Sequence, residues 1–142
     1  MPINVINECG VNGYIQNRGQ IRNVDFTSNE DIEFYSIKNH IAIYLEQTNI
    51  AYQIATINEL DSVITDLYRV DLTFDKGNND SKLYPISEKD EFYNFYLAHM
   101  AGKAERTSAF RGVVKYDVYD QIDMLYSCGP SGYKNYLVAR PG

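Results

Sequence analysis

The most distinctive chemical feature of the sequence is a short basic segment inside an acidic chain. Residues 23–102 contain fourteen acidic and five basic side chains, whereas residues 103–116 contain four basic and one acidic side chain. Guanidinium groups and hydroxyl groups beside a glycine are well suited to bind phosphate or carboxylate. The segment therefore predicts a site for a small anionic, phosphate-bearing and nucleotide-like ligand. The expected ligand-binding residues are Arg106, Arg111, Lys103, Thr107, Ser108, His99, Tyr96, Phe92, Arg18 and Arg22.

Arg106 and Arg111 are the expected main contributors to this site, and Arg18 and Arg22 add to it if the N-terminal loop folds over the segment. A helical spacing would place one ring-bearing and basic stripe on a single face. Its members are Phe92, Tyr96, His99, Lys103 and Arg106. The rings of that stripe would give the base of a nucleotide a surface to stack on. The alternative is that the basic side chains only complement the C-terminal end of the helix.

Cysteine chemistry is the enzymatic alternative. Cys128 lies in a turn-like sequence, and His99 is the histidine best placed to act as its base, which would make a cysteine-dependent hydrolase or transferase. The chain has two cysteines and two histidines, and they lack the spacing of a zinc site. We therefore predict no metal and no cofactor. A disulfide between Cys9 and Cys128 would tie the two ends of the chain together, but free thiols are the ordinary state in a cytosolic protein.

The overall charge bears on the class of partner. The formal net charge is −6 and the sequence pI is about 4.8, which would repel a nucleic acid polymer everywhere except at the basic segment. The acidic residues 23–102 instead suit a partner protein with a basic surface. Thirteen tyrosines and no tryptophan fit either half-buried positions or a tyrosine-rich binding face. A homodimer is also compatible with this composition.

The elements that must position these residues suggest an α+β domain spanning residues 1–142. Apolar and polar residues alternate near 41–56, which predicts a β-hairpin. Asn58 resembles a helix N-cap, and the apolar spacing after it predicts a helix near 58–70. An acidic first turn after Pro85 predicts a second helix near 87–105. We therefore expect an antiparallel sheet, which includes the hairpin, packed against two main helices.

The same patterns give weaker indications elsewhere. Residues 31–36 and 133–140 are candidate strands, residues 75–82 a solvated loop, and the segment from Tyr119 to Cys128 a possible short helix. Asp117, Asp120 and Asp123 would then share one side of that helix. No apolar run is long enough to span a membrane, and the N-terminal residues do not resemble a secretory signal. We therefore expect a cytoplasmic protein, in its producer or in a host, without a membrane partner.

No motif identifies an enzyme or a known family. The interpretation that we favour is a non-enzymatic binding protein, of the immunity or anti-defence type found in microbes and phages, that sequesters a nucleotide-like ligand at the basic segment. The first alternative is an inhibitor that masks a basic surface of a partner protein. The second alternative is the cysteine-dependent enzyme.

Overall fold

The computed structural model describes residues 13–23, 25, 27, 29–95, 106–129 and 132–142. None of these residues lies in a helix, and together they form nine β-strands. The strands are β1 (Tyr14–Gln16), β2 (Ile32–Lys38), β3 (Ile41–Glu46), β4 (Asn49–Ile57), β5 (Ile64–Thr73), β6 (Leu83–Tyr93), β7 (Thr107–Tyr119), β8 (Ile122–Gly129) and β9 (Gly132–Ala139). The α+β prediction is therefore wrong: the described chain is a curled antiparallel sheet in the form of a half-barrel.

The sheet branches at β7. One edge of β7 pairs with β6, and the other edge pairs first with β1 and then with β8. Since Phe110 is paired with both Tyr14 and Glu88, β1 and β6 must lie on opposite edges. One arm of the sheet continues from β1 through β2, β3 and β4 to β5, and the other continues from β8 to β9. Irregular pairing within β2–β3, β4–β5, β6–β7 and β7–β8 adds the local bending that lets the sheet curl.

Two apolar clusters lie on opposite faces of the β1–β4 arm, because successive side chains in a strand point to opposite faces. The main core is built around Tyr14, Phe34, Leu45, Val113 and Tyr126, all at most 3% exposed. The second cluster takes the neighbouring positions in the same strands, among them Ile15, Tyr35, Tyr44 and Ala109. The arm is therefore buried on both of its faces near β1 and β2.

The arm formed by β8 and β9 lies across the main core from β2 and β4. The hydroxyl groups of Ser36 and Tyr133 are 2.9 Å apart, and Asn135 Nδ2 donates to Tyr52 Oη over 2.6 Å. Further along, the buried Lys115 donates from Nζ to the carbonyl oxygen of Gln47 in the turn between β3 and β4. These contacts hold the two arms around the core.

The hairpin predicted near 41–56 is present as β3 and β4, which are paired from Ile41–Ile54 to Leu45–Ile50. The helix predicted near 58–70 is wrong, because this segment contains a turn followed by most of β5. Asn58 Oδ1 accepts a hydrogen bond from the Leu60 amide, which resembles a helix cap, but the Asn58 amide then bonds the Val63 carbonyl and closes a hairpin. The first hydrogen bond is common to both structures, so the local sequence signal is ambiguous.

The helix predicted near 87–105 is also wrong over its described part. Residues 87–93 lie in β6 and pair with β7, while residues 96–105 lie outside the described residues. Ser87, the expected cap, instead has a positive φ of 54° within the strand. Pro85 is accommodated because β6 is an edge strand, where a missing backbone donor costs no sheet hydrogen bond.

The last segments are strands as well. Residues 32–38 and 132–139 form the strands expected there, and residues 74–82 form the expected connection. The possible helix from Tyr119 to Cys128 is wrong, since β8 occupies residues 122–129. Asp117 and Asp123 lie on neighbouring strands rather than on one helix face, and both carboxylates bind the guanidinium of Arg140.

Candidate functional site

The main core face continues beyond the core as an exposed apolar surface. Directly opposed residues in an antiparallel pair lie on the same face of the sheet. Val70 opposes Tyr52, which opposes the core residue Ile43, and Leu72 opposes the core residue Ile50. By the same register, Tyr68 opposes Ile54, which opposes Ile41. These β5 and β3–β4 side chains therefore extend the core face outward to the edge of the sheet.

β9 adds one more side chain to this surface. Ser36, Ile43, Tyr52 and Val70 form a row across β2 to β5. Tyr133 bonds the first member of this row and Asn135 bonds the third, so β9 crosses the row on the way from β2 toward β5. Leu137 is two residues beyond Asn135 on the same face of β9, so it lies further toward β5.

We refer to this set as the rim surface, and its members are all apolar and substantially exposed. They are Ile41 (41%), Ile54 (40%), Tyr68 (57%), Val70 (56%), Leu72 (42%) and Leu137 (63%). Single exposed apolar residues are ordinary on a protein surface, but a contiguous group of them marks an interaction surface. The rim surface is therefore the candidate functional site.

Acidic side chains border the rim surface. Asp66 lies on the same face of β5 as Tyr68, and Glu59 and Asp61 lie in the exposed turn between β4 and β5. The tip of this turn carries Leu60, which is 96% exposed. The border therefore combines negative charge with an exposed apolar side chain.

Arg69, the basic residue of β5, does not offset the negative charge of this border, because it forms ion pairs with nearby carboxylates. Arg69 contacts Glu46 at 3.0 Å and Asp71 at 2.8 Å on the opposite face of β5. The hydrogen bonds that Arg69 donates to Asp71 lower the pKa of Asp71 and raise the pKa of Arg69, so both groups stay charged. The electrostatic character of this end of the sheet is therefore set by the surrounding carboxylates.

The predicted basic segment has a different geometry from the one expected. The guanidinium carbon of Arg106 lies 4.4 Å above the centre of the Phe92 ring, but strand pairing between β6 and β7, not a shared helix face, brings the two together. Ser108 is paired with Phe92, and its hydroxyl donates to the Glu88 carboxylate. An acidic group therefore already occupies one hydroxyl that was expected to bind an anion.

The remaining predicted residues are only partly brought together. Arg111 is exposed in β7, whereas Thr107 is 1% exposed and so is not available to a ligand at the surface. The antiparallel register of Ile15 with Ala109 directs the chain after β1, with the exposed Arg18 and half-buried Arg22, toward the Arg106 end of β7. Lys103, His99 and Tyr96 lie outside the described residues.

Cys128 is free and buried at 5% exposure, against the main core. Burial raises the pKa of its thiol, which opposes formation of the thiolate that nucleophilic catalysis requires. Its predicted partner, His99, lies outside the described residues. Among the described residues, no cluster of histidine, cysteine, aspartate and glutamate is arranged to hold a metal ion, and none forms a helix that could span a membrane.

Four tyrosines lie close together inside the curled sheet, two of them, Tyr14 and Tyr133, beside Cys128, and sequence reasoning did not place them there. Tyr14 and Tyr133 have ring centres 6.2 Å apart, and Tyr52 and Tyr126 are close enough to influence the ionisation of Tyr14. Burial raises the pKa values of Tyr14, Tyr126 and Tyr133, so their phenols stay neutral. These tyrosines are a structural part of the core rather than a binding face.

The rim surface was also missed by sequence reasoning, although a signal was present. Ile64, Tyr68, Val70 and Leu72 fall on even positions, which is the period of a strand. The helical spacing of Leu60, Val63, Ile64 and Leu67 competed with it and led to the helix assignment.

The comparison with known families agrees with the extent of this fold. The family model described as "Domain of unknown function (DUF7948)" matches residues 14–142, a range that includes all nine strands of the described sheet. The chain belongs to this family. No curated protein and no solved structure is significantly similar to it.

Proposed function

We propose that this DUF7948 domain is a non-enzymatic binding protein that contacts a partner protein through the rim surface. The observation that supports this proposal is the extension of the core face into six apolar side chains that are each 40–63% exposed. Covering such side chains removes apolar area from water, and this is the main favourable term in protein association. An exposed apolar surface of this kind suits a protein partner better than a small solute.

The charge around the rim surface defines the partner further. Asp66, Glu59 and Asp61 border the apolar side chains, and Arg69 is neutralised by its own ion pairs. A complementary partner carries an apolar patch surrounded by lysine or arginine residues. The domain would then act as an inhibitor that masks a basic surface of another protein, as immunity and anti-defence factors do.

The state of Cys128 supports binding over cysteine catalysis. A catalytic thiol is partly exposed and lies in an electropositive environment that lowers its pKa. Cys128 is buried, and desolvation raises its pKa. These properties are those of a structural thiol.

A small-anion site at the basic segment is the second candidate function, and one contact favours it. The stacking of Arg106 on Phe92 holds a guanidinium group at the surface, and Arg111 is exposed on β7, which begins directly after Arg106. Calorimetric titration with mono- and dinucleotides tests this candidate. Binding that weakens about tenfold in Arg106→Ala and Arg111→Ala and fades with salt would support it, and no heat at low salt would reject it.

The rim-surface proposal is tested with variants that leave β5 intact. A partner captured from the native source is purified, and its affinity is measured for the wild type, Ile54→Lys and Leu137→Lys. Each lysine removes apolar contact and adds positive charge facing a basic partner, so we expect at least a tenfold loss, which corresponds to about 1.4 kcal/mol.

Tyr84→Lys is the matched control, because Tyr84 is 49% exposed on β6, away from the rim surface. It should bind like the wild type. Equal affinity of the wild type and both rim variants, with their folds intact, would reject the proposal. Loss of binding in the control alone would move the contact surface to β6 and would reject it as well.

A further inference from the structure

The outer edge of β5 is open among the described residues. β5 pairs with β4 on one side, and no other described strand pairs with its second side. The strand is ten residues long, and Ile64, Tyr68, Val70 and Leu72 are each more than 40% exposed. An open edge of this length is a template for pairing with another strand, so proteins usually protect such edges or use them.

The other two open edges of the described sheet carry protective features that β5 lacks between Asp66 and Thr73. β6 contains Pro85 and Lys89, and its pairing with β7 is interrupted between Glu88 and Phe92. β9 is shorter, at eight residues, and contains Lys134. Proline, lysine and irregular pairing all oppose edge-to-edge association. β5 contains neither proline nor lysine, and its pairing with β4 is regular from Asp66 to Thr73.

We propose that β5 pairs antiparallel with β5 of a second copy of this chain. The two copies are related by a two-fold axis that passes between their Val70 residues, so these two residues oppose each other. Such an axis is perpendicular to the sheet, so each face of one copy continues into the same face of the other. Even-numbered residues therefore oppose even-numbered residues. The inference does not depend on the proposed function, because it concerns the backbone edge of β5 and the purified chain alone.

The charges and apolar residues of β5 select this register. With the axis at Val70, Arg69 of each copy opposes Asp71 of the other, and Tyr68 opposes Leu72. An axis at Arg69 would instead oppose the two Arg69 side chains and would set Leu67 against Asp71. An axis at Tyr68 would set Asp66 against Val70. Opposite charges and apolar pairs stabilise directly opposed positions, and like charges destabilise them.

The ion pairs of the single chain fit this arrangement. Arg69 and Asp71 lie on one face of β5 and are already held together at 2.8 Å, so their side chains are ordered before a second copy arrives. In the paired state, two arginines and two aspartates alternate across the junction. On the other face, the rim surfaces of the two copies join into one apolar surface.

Charge reversal provides the test. In Arg69→Asp, aspartates face each other across the junction, and in Asp71→Arg, arginines do, so each variant alone should raise the dimer dissociation constant at least about tenfold at low salt. In an equimolar mixture, the two acidic side chains of one variant face the two basic side chains of the other, so the mixture should form a heterodimer. Sedimentation velocity reports the oligomeric state, and native mass spectrometry distinguishes the heterodimer by mass. Lys134→Asp, on the β9 edge, is the control and should dimerise like the wild type.

A disulfide cross-link tests the same register with variants that leave Arg69 and Asp71 unchanged. Opposed Cα atoms in antiparallel strands are about 4.5–5.5 Å apart, within the range that a disulfide spans. In a Cys9→Ser background, Val70→Cys should therefore form a cross-linked dimer under mild oxidation, whereas Leu67→Cys, far from its counterpart in this register, should not.

A wild-type chain that sediments only as a monomer throughout its soluble range would overturn the proposal. Dimerisation that persists in both charge variants, or cross-linking of Leu67→Cys but not Val70→Cys, would also overturn it, because the dimer would then use another edge or register.

Discussion

Removal of the buried Tyr14 hydroxyl tests how this group affects the stability of the main core. Tyr14 is fully buried in the main core, and its hydroxyl has no hydrogen-bond partner among the described residues. A buried donor without a partner costs about 1–3 kcal/mol in lost hydration. Tyr14→Phe removes the hydroxyl and keeps the ring, including its contact with the ring of Tyr133. We therefore expect the variant to be as stable as the wild type or up to about 2 kcal/mol more stable.

Tyr133→Phe is the matched control. Its hydroxyl lies 2.9 Å from Ser36 Oγ, so the same change here removes one hydrogen bond from a fully buried serine. We expect a loss of about 1–2 kcal/mol in this variant. The two changes delete the same atom from neighbouring tyrosines, but only Tyr133→Phe should lower the free energy of unfolding.

Urea unfolding followed by tyrosine fluorescence and circular dichroism measures both variants. The chain contains no tryptophan, so its tyrosine emission is not masked. A change in midpoint at constant slope reports a change in stability. A loss of more than about 1 kcal/mol in Tyr14→Phe would contradict this prediction, because it would show that the Tyr14 hydroxyl makes a stabilising hydrogen bond.

Two further predictions concern buried positions of the sheet. Burial raises the pKa values of Tyr14, Tyr35 and Tyr126, so above the ordinary tyrosine pKa of about 10 the unfolded chain releases protons that the folded chain keeps. The contribution of these tyrosines to stability should therefore be constant below that pH and fall above it, by up to about 1.4 kcal/mol per pH unit for each of them. Phenolate absorbance and circular dichroism should change together on alkaline titration, and ionisation of all tyrosines with the fold intact would contradict this. Separately, Gly112→Ala should destabilise the fold by about 1–3 kcal/mol, because its Cβ would lie 2.9 Å from the Tyr126 carbonyl oxygen. Gly129→Ala, which meets no described atom within 4 Å, should change the unfolding free energy by less than about 0.5 kcal/mol.

The parts of the fold that were predicted correctly have an unambiguous period. In β3 and β4, apolar and β-branched residues alternate and a short turn separates them, so the hairpin could be predicted from local sequence alone. β5 could not, because it is exposed on both faces and no buried face imposes a strict alternation on its sequence. Asn58 then supplied a side-chain hydrogen bond that a helix cap and a turn share.

The candidate site was less predictable than the hairpin, since it depends on contacts between distant strands. Phe92 and Arg106, which the sequence placed on one helix face, are in contact, but the contact arises because β6 pairs with β7, not from helical spacing. The rim surface depends on the order of β3, β4 and β5 and on the crossing of β9, and no local pattern encodes either one. The position of Glu88 beside the basic segment could not be predicted either, because its hydrogen bond with Ser108 joins two distant parts of the sequence.

Site-specific photo-crosslinking in the native source is the most direct test of whether the rim surface contacts a partner protein. A benzophenone side chain replaces Ile54, Leu137, Arg111 or Tyr84, one position at a time, and the adducts are identified by mass spectrometry. We expect Ile54 and Leu137 to give an adduct with the same partner protein, and Arg111 and Tyr84 to give none. Adducts from Arg111 or Tyr84, without any from the two rim positions, would contradict it.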